Sequence, residues 1–340
     1  MASVPAYVRD ALTPGMYEVL DHQLARAAER RGVDSAPGGD RSARLAVMRA
    51  DYRAERSFWN EGGPQMASTY DGHVHAAGVD VPIRIYRPTA AESLPAIAYF
   101  HGGGFNVGDL DTHDRIMRVL ADKSGAAVVG VDYTLSPEAR FPQALHECAG
   151  VVAHLAAEGQ RYGIEPSRLV VAGDSAGSML SMGTVLLLRD GPAEAGLRAD
   201  AAAAAFASIR GMLLYYGGHG LRDSATSRLY GGFWDGMGKR ELGDVDAFHF
   251  NDAAERSSPY IDHLSADLSR DLPAAFIVGA ELDPLADDGR ALAAMLARNG
   301  REVDFRMVPG VLHSFLHFGR MLDEANEELA RGAEFARAHL

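Results

Sequence analysis

The feature that most constrains this chain is a succession of short apolar runs, each followed by a helix-length stretch. The runs are "LPAIAYF" (94–100), "AAVVGVDY" (126–133), "RLVVAGD" (168–174), "IRGMLLYYG" (209–217), "AAFIVGA" (274–280) and "VDFRMVPG" (303–310), with "VPIRIYRP" (81–88) strand-like ahead of them. A run that is apolar on successive residues, rather than on alternate ones, is a strand covered on both faces. Between the runs lie "DTHDRIMRVLADKSG", "FPQALHECAGVVAHLAAEGQRYG", "AGSMLSMGTVLLLRDG" and "DPLADDGRALAAMLARNG", all of helix length. Such alternation predicts an α/β fold: a mostly parallel central sheet with helices on both faces.

With 340 residues, 47% of them hydrophobic, the chain can bury one large core, and we read 1–340 as a single domain. Residues 218–262 break the alternation, carrying aromatics and helical patches but no buried strand. They are expected to form a helical cap over the sheet edge together with about 1–60, where "RSARLAVMRADYRAERSFW" has amphipathic helical spacing. The closing "MLDEANEELARGAEFARAHL" is a long amphipathic helix that should pack back on the core. The net charge of −13 argues against nucleic acid or an anionic membrane as partner. No uncharged apolar run approaches a membrane span, and "MASVPAYVRD" carries no export signal, so a cytoplasmic location without membrane insertion is expected. Cys148 is the only cysteine, which excludes an intramolecular disulfide, and its apolar helical setting suits a buried, inert thiol. Nothing here decides oligomeric state, and a homodimer stays open.

The motif with the most chemical content is "VVAGDSAGSML", in which Gly173, Asp174, Ser175, Ala176 and Gly177 read G-x-S-x-G between an apolar strand and a helix. A strand that turns abruptly into a helix exposes its corner residue, and flanking glycines let the neighbouring backbone close around it. Ser175 is therefore the candidate nucleophile. A serine hydroxyl needs a base to take its proton. His313, in the loop after the last strand, is placed to reach it, with His317 as competitor if that loop is already helical. The base needs a carboxylate in turn. Glu281, Asp283, Asp287 and Asp288 follow a buried strand; Asp283 sits in the strand exit, whereas Asp287 and Asp288 read as first-turn helix residues. His73 and His75 alternate on a strand without a third ligand, and HExxH and CxxC spacings are absent, so no metal and no cofactor are expected.

"HGGGF" (101–105) places three glycines behind an apolar strand. No lysine follows as a nucleotide loop would require. Backbone N–H donors without Cβ atoms suit the oxygen of a tetrahedral adduct, which assigns the oxyanion hole to the N–H groups of Gly103, Gly104 and Ala176. His101 and Gly102 would fix the loop, and Asp174 would support the corner beside Ser175.

"HGGGF", "GDSAG", "DPLADDG" and "HSF" at these separations resemble the hormone-sensitive-lipase family of carboxylesterases. "RSFWN", "GDLDTHDRIMR", "VDYTLSPEARFPQA", "GLRDS" with "GGFWDG", and "PGVLHSFLHFGRML" are similar to its bacterial acetyl esterases. The resemblance covers nearly the whole chain. It implies an α/β-hydrolase fold and cofactor-free hydrolysis of short-acyl, foremost acetyl, small-molecule esters through an acyl-enzyme, with Ser175, Asp283 and His313 as triad. It makes Asp174, Tyr133 and Glu138 supporting residues. The cap aromatics Phe233, Trp234, Phe248 and Phe250 are candidates for the wall of an acyl pocket, with simple packing as the commoner role of such residues. Hydrolysis of amides, thioesters or longer acyl esters is the alternative chemistry, a ligand-binding protein on the same fold is a rival class, and a protein-binding regulatory role is a further one.

Overall fold

The computed structural model describes residues 4–31, 41–232, 237 and 239–340. In chain order the elements are α1 (Ala6–Arg9), α2 (Pro14–Arg31), α3 (Arg41–Asn60), β1 (Ser68–Ala76), β2 (Val79–Arg87), β3 (Leu94–Phe100), α4 (Asp114–Ser124), β4 (Ala127–Val131), α5 (Gln143–Glu158) and β5 (Ile164–Asp174). They continue as α6 (Ala176–Asp190), α7 (Ala199–Ser208), β6 (Ile209–Tyr215), α8 (Ala225–Tyr230), α9 (Lys239–His249), β7 (Ala274–Ala280), α10 (Ala286–Arg298), β8 (Val303–Val308) and α11 (Asp323–His339). The seven apolar runs all became strands of one eight-stranded sheet, ordered β1-β2-β4-β3-β5-β6-β7-β8. β1 and β2 are antiparallel to each other and β2 to β4, and every other pairing is parallel.

Each inner strand feeds two cores, as the pleat requires. Ala96, Ala98 and Phe100 of β3 join Val171 and Leu214 beneath α5, α6 and α7. Ile97 and Tyr99 join Val170, Ala172 and Phe276 on the opposite face, beneath α4 and α11. This two-sided burial is why the runs read as continuous apolar sequence. β1 was less legible: its first residues are exposed, and His73 and His75 sit on this edge strand. α7 is an alanine-rich segment whose helicity rests on propensity rather than on an amphipathic stripe.

The strand order reverses between β3 and β5: the chain leaves β3 toward β4 on one side and returns to β5 on the other. In open parallel sheets the crevice at such a switch point, beyond the carboxyl ends of the strands, is where chemistry collects. Here it lies between the glycine loop after β3 and Ser175 after β5. Residues 218–262 carry α8 and α9 and no strand among the described residues. α9 leans on the glycine loop, with Val245 against Gly104 and the His249 ring stacked on Phe105 at 3.8 Å. No described helix is long and apolar enough to cross a membrane.

Candidate active site

The turn from β5 into α6 holds Ser175 at φ +53°, a left-handed conformation that a residue with a Cβ adopts only when its surroundings enforce it. The enforcement is steric. A Cβ on Gly177 would lie 1.8 Å from the Phe100 carbonyl oxygen, and one on Gly173 would lie 2.3 Å from the Gly177 backbone, so only glycines let α6 start this close to β3. The Ser175 N–H donates to Tyr215 O at 2.8 Å, tying the corner to β6.

His313 comes to this corner from the loop after β8, and its Nε2 lies 2.9 Å from Ser175 Oγ. Its Nδ1 lies 2.6 Å from Asp283 Oδ2. A carboxylate can only accept there, so Nδ1 carries the proton and the Nε2 lone pair faces the serine hydroxyl. Asp283 is fully buried and also accepts the Leu285 N–H at 2.8 Å. The arrangement can therefore take a proton from Ser175 and stabilise the resulting imidazolium. The other three carboxylates are engaged elsewhere. Glu281 accepts the Gly310 N–H, Asp287 pairs with Arg290 and the Thr226 N–H, and Asp288 Oδ1 accepts three N–H groups, from His219, Gly220 and Leu221. His317 is buried in the short turn after His313, with Nε2 3.9 Å from Asp174 Oδ2 rather than at Ser175.

The glycine loop closes on the same corner. Gly103 and Gly104 have φ of +118° and +58°, and a Cβ on Gly103 would lie 2.2 Å from Val107 O. Gly103 O accepts the N–H groups of Asn106 and Val107, which folds the loop back on itself. Among the described residues no acceptor takes the N–H of Gly103, Gly104 or Ala176. Gly102 differs: its N–H donates to Asp174 Oδ1 at 2.9 Å, bolting the loop to the end of β5. His101 donates from Nδ1 to Gly102 O at 2.8 Å and stacks on Tyr133, whose hydroxyl donates to His101 O at 2.7 Å. Burial, and then the neighbouring His113, hold the His101 imidazole down to about 4, so it is neutral at physiological pH.

Asp174 is the centre of the support. It accepts the Tyr99 hydroxyl at 2.8 Å as well as Gly102, and faces His113 and His317. Burial favours its neutral form, but the neighbouring His113, and then His317, outweigh that and hold the carboxyl well below the usual range. Tyr99, His113 and Tyr216, whose ring sits edge-on to His313, had no mark in the sequence, because burial beside a site is a tertiary property. Arg49 of α3 went unread for the same reason. It donates to Asn106 O at 2.7 Å and Ser136 O at 3.0 Å, and pairs with Glu138.

Beside the corner lies a small apolar pocket, lined by Phe105, Phe141, Met179, His249 and Tyr260 among others. Phe248 and Phe250 are not in its lining, although Phe250 packs on Phe141; Phe233 and Trp234 fall outside the described residues. His73 and His75 belong to no group of three or more metal-ligating side chains among the described residues, and His75 pairs with Asp80 on the surface. Cys148 is buried in α5, and burial raises its thiol well above the ordinary value, as an inert role requires.

A family model described as alpha/beta hydrolase fold matches residues 97–317. An ester-hydrolase from the metagenome of Lake Arreo, solved with a bipyridine phosphonate derivative, is 28% identical with a TM-score of 0.83, over 96% of this chain and 99% of its own. An esterase from Pyrobaculum calidifontis is 28% identical with a TM-score of 0.82, over 96% and 98%. A thermostable carboxylesterase cloned from a metagenomic library is 28% identical with a TM-score of 0.79, over 87% and 97%.

Proposed function

The chain belongs to the alpha/beta hydrolase fold family, and from that premise we propose that it hydrolyses carboxylic esters of small molecules, with a preference for short acyl groups such as acetyl. The observation that carries this reading is the unbroken line Asp283–His313–Ser175, at 2.6 and 2.9 Å, beside a glycine loop and helix start whose Gly103, Gly104 and Ala176 N–H groups find no acceptor among the described residues. Ser175 Oγ attacks the ester carbonyl while His313 Nε2 takes its proton. The oxygen that becomes negative is held by the N–H groups of Gly103, Gly104 and Ala176. The imidazolium then protonates the leaving alcohol, and the neutral ring activates water to release the acid from Ser175. His101, Gly102 and Asp174 keep the loop and the corner in register.

The preference for short acyl groups is supported by the pocket walled by Phe105 and Met179. The side chains of Phe105, Phe141, Met179 and Tyr260 leave this apolar pocket little internal room for a longer chain. Residues 1–60 and 218–262 act in this reading as the cap, narrowing the entrance above the glycine loop.

The deciding experiment is hydrolysis of p-nitrophenyl esters from acetyl to decanoyl by the wild type and Ser175→Ala. The variant should lose at least about 1,000-fold in kcat while keeping the wild-type circular dichroism spectrum. The wild type should lose kcat/KM steeply beyond about four acyl carbons, each misfitted methylene being worth about 1–3 kcal/mol. Near-full activity in Ser175→Ala removes the mechanism. A rise toward decanoyl removes the acyl preference alone, and faster turnover of matched amides or thioesters would move the assignment to those bonds.

A further inference from the structure

Behind Ser175 three side chains from distant parts of the chain converge: His113 just before α4, Asp174 at the end of β5, and His317 after β8. All are at most 3% exposed. His113 Nε2 lies 3.4 Å from Asp174 Oδ1, His317 Nε2 lies 3.9 Å from Asp174 Oδ2, and one donor atom from each residue lies within 4.8 Å of the others. Among the described residues neither Nε2 has a hydrogen-bond partner. Two imidazole nitrogens deep in the core without partners are costly to leave that way. His113 is oriented by the contact of its Nδ1 with Thr112 Oγ1 at 3.0 Å, leaving Nε2 as the free end. On Asp174, Oδ1 already accepts from Tyr99 and Gly102, whereas the one hydrogen bond to Oδ2 among the described residues is the long one from the Tyr216 hydroxyl at 3.4 Å. Asp174 thus presents Oδ2 to His317 Nε2 and Oδ1 to His113 Nε2.

We propose that His113, Asp174 and His317 form a binding site for one divalent transition-metal ion of the zinc type. Two ligands each about 2.1 Å from an ion at the tetrahedral angle lie about 3.4 Å apart; the His113–Asp174 spacing already matches this, and the wider spacings, all within 4.8 Å, close on an ion by side-chain shifts of up to about 1 Å or slightly more. The donor set selects the class. Two imidazoles and one carboxylate suit Zn²⁺, Co²⁺ or Ni²⁺, whereas Ca²⁺ and Mg²⁺ require oxygen cages that are not offered here. Binding requires both Nε2 atoms unprotonated, so the entering ion displaces any proton held there and releases it to solvent. The ion touches none of the atoms proposed to react. It acts through Asp174, whose other oxygen holds the Gly102 N–H, and so stiffens the glycine loop. This site stands on its own geometry and does not depend on the ester reading.

The test uses the full chain produced in cobalt-supplemented medium, desalted, and assayed for metal content and visible absorption. The expected result is about one Co²⁺ per chain with the intense bands of a four- or five-coordinate ion. X-ray absorption at the cobalt edge should report two imidazole ligands, which needs no variant. His113→Gln and His317→Gln should each lower bound cobalt at least tenfold, while a His73→Gln, His75→Gln double variant keeps it. Chelation should lower the Tm of the wild type by several degrees and leave the two core variants unmoved. Substoichiometric metal in the folded protein, cobalt without imidazole ligands, or loss of metal in the surface double variant would each overturn the proposal. The cluster would then be a buried ion pair carrying a proton.

Discussion

Gly177 shows how little freedom the corner leaves at the level of single residues. Its missing side chain is what lets α6 begin against the Phe100 carbonyl, an obstacle of backbone that cannot rotate away. Gly177→Ala should therefore destabilise the fold by about 3 kcal/mol or more, read as a lower urea midpoint and a lower Tm. An unchanged midpoint would mean that β3 and α6 can separate without loss. Asp283→Asn tests a different property of one residue. The amide can keep the hydrogen bond yet present its N–H to Nδ1, turning the imidazole to the tautomer whose Nε2 faces Ser175 with a proton instead of a lone pair. With p-nitrophenyl acetate kcat should fall about 1,000- to 10,000-fold while Tm moves little; a loss of less than tenfold would remove Asp283 from the line. These residues were legible in sequence because each stands in a motif at the exit of an apolar strand. His113, Tyr99 and Tyr216 were not, since a buried histidine or tyrosine reads like any other until the strands are paired.

Among the elements, α9 has an attachment that depends on pH. Its last residue, His249, is buried between the Phe105 and Phe141 rings, with Nδ1 3.0 Å from Ser136 Oγ. Burial, and then the Arg140 guanidinium, push this imidazole down to about 3. The unfolded chain accepts a proton there near pH 6.5, which the folded chain refuses until about pH 3, so the stability term is complete above pH 6.5 and lost as pH falls through that window. At pH 5 the loss amounts to about 2 kcal/mol. His249→Gln should flatten the fall of unfolding free energy between pH 7 and pH 5 by about that amount, measured by urea titration. An unaltered slope would mean that α9 is not held by this neutral ring. The strands under α9 were readable from their apolar runs, because two-sided burial writes itself into every residue. The mostly exposed β1 and the alanine-rich α7 were not, since neither carries a periodic apolar face.

For the whole molecule, the strand order matters more than any one strand. By setting β3 beside β5 it brings the glycine loop and Ser175, some seventy residues apart in sequence, to one edge of the sheet. The alternation of strands and helices announced a parallel sheet, but the order of its strands was not written in any run of residues. Nor was the route by which the N-terminal segment reaches the site. Arg49 is that route: one guanidinium from α3 binds the carbonyls of Asn106 and Ser136 and the Glu138 carboxylate, joining three stretches distant in sequence just behind the glycine loop. The pair with Glu138 is half exposed and adds little by itself. The two carbonyls are the greater loss, because they are part-buried and lose this donor when the side chain goes. Arg49→Met should therefore lower kcat on p-nitrophenyl acetate about tenfold, equivalent to about 1.4 kcal/mol of transition-state stabilisation, with KM changed less than twofold. Arg49→Lys should recover only part of it, since an ammonium cannot span both carbonyls and the carboxylate in one plane. Steady-state rates across ester concentration, set beside thermal unfolding of the same samples, separate the outcomes. A lower Tm with unchanged kcat would make the N-terminal segment a structural roof, whereas the expected fall in kcat makes it part of what holds the oxyanion donors in place.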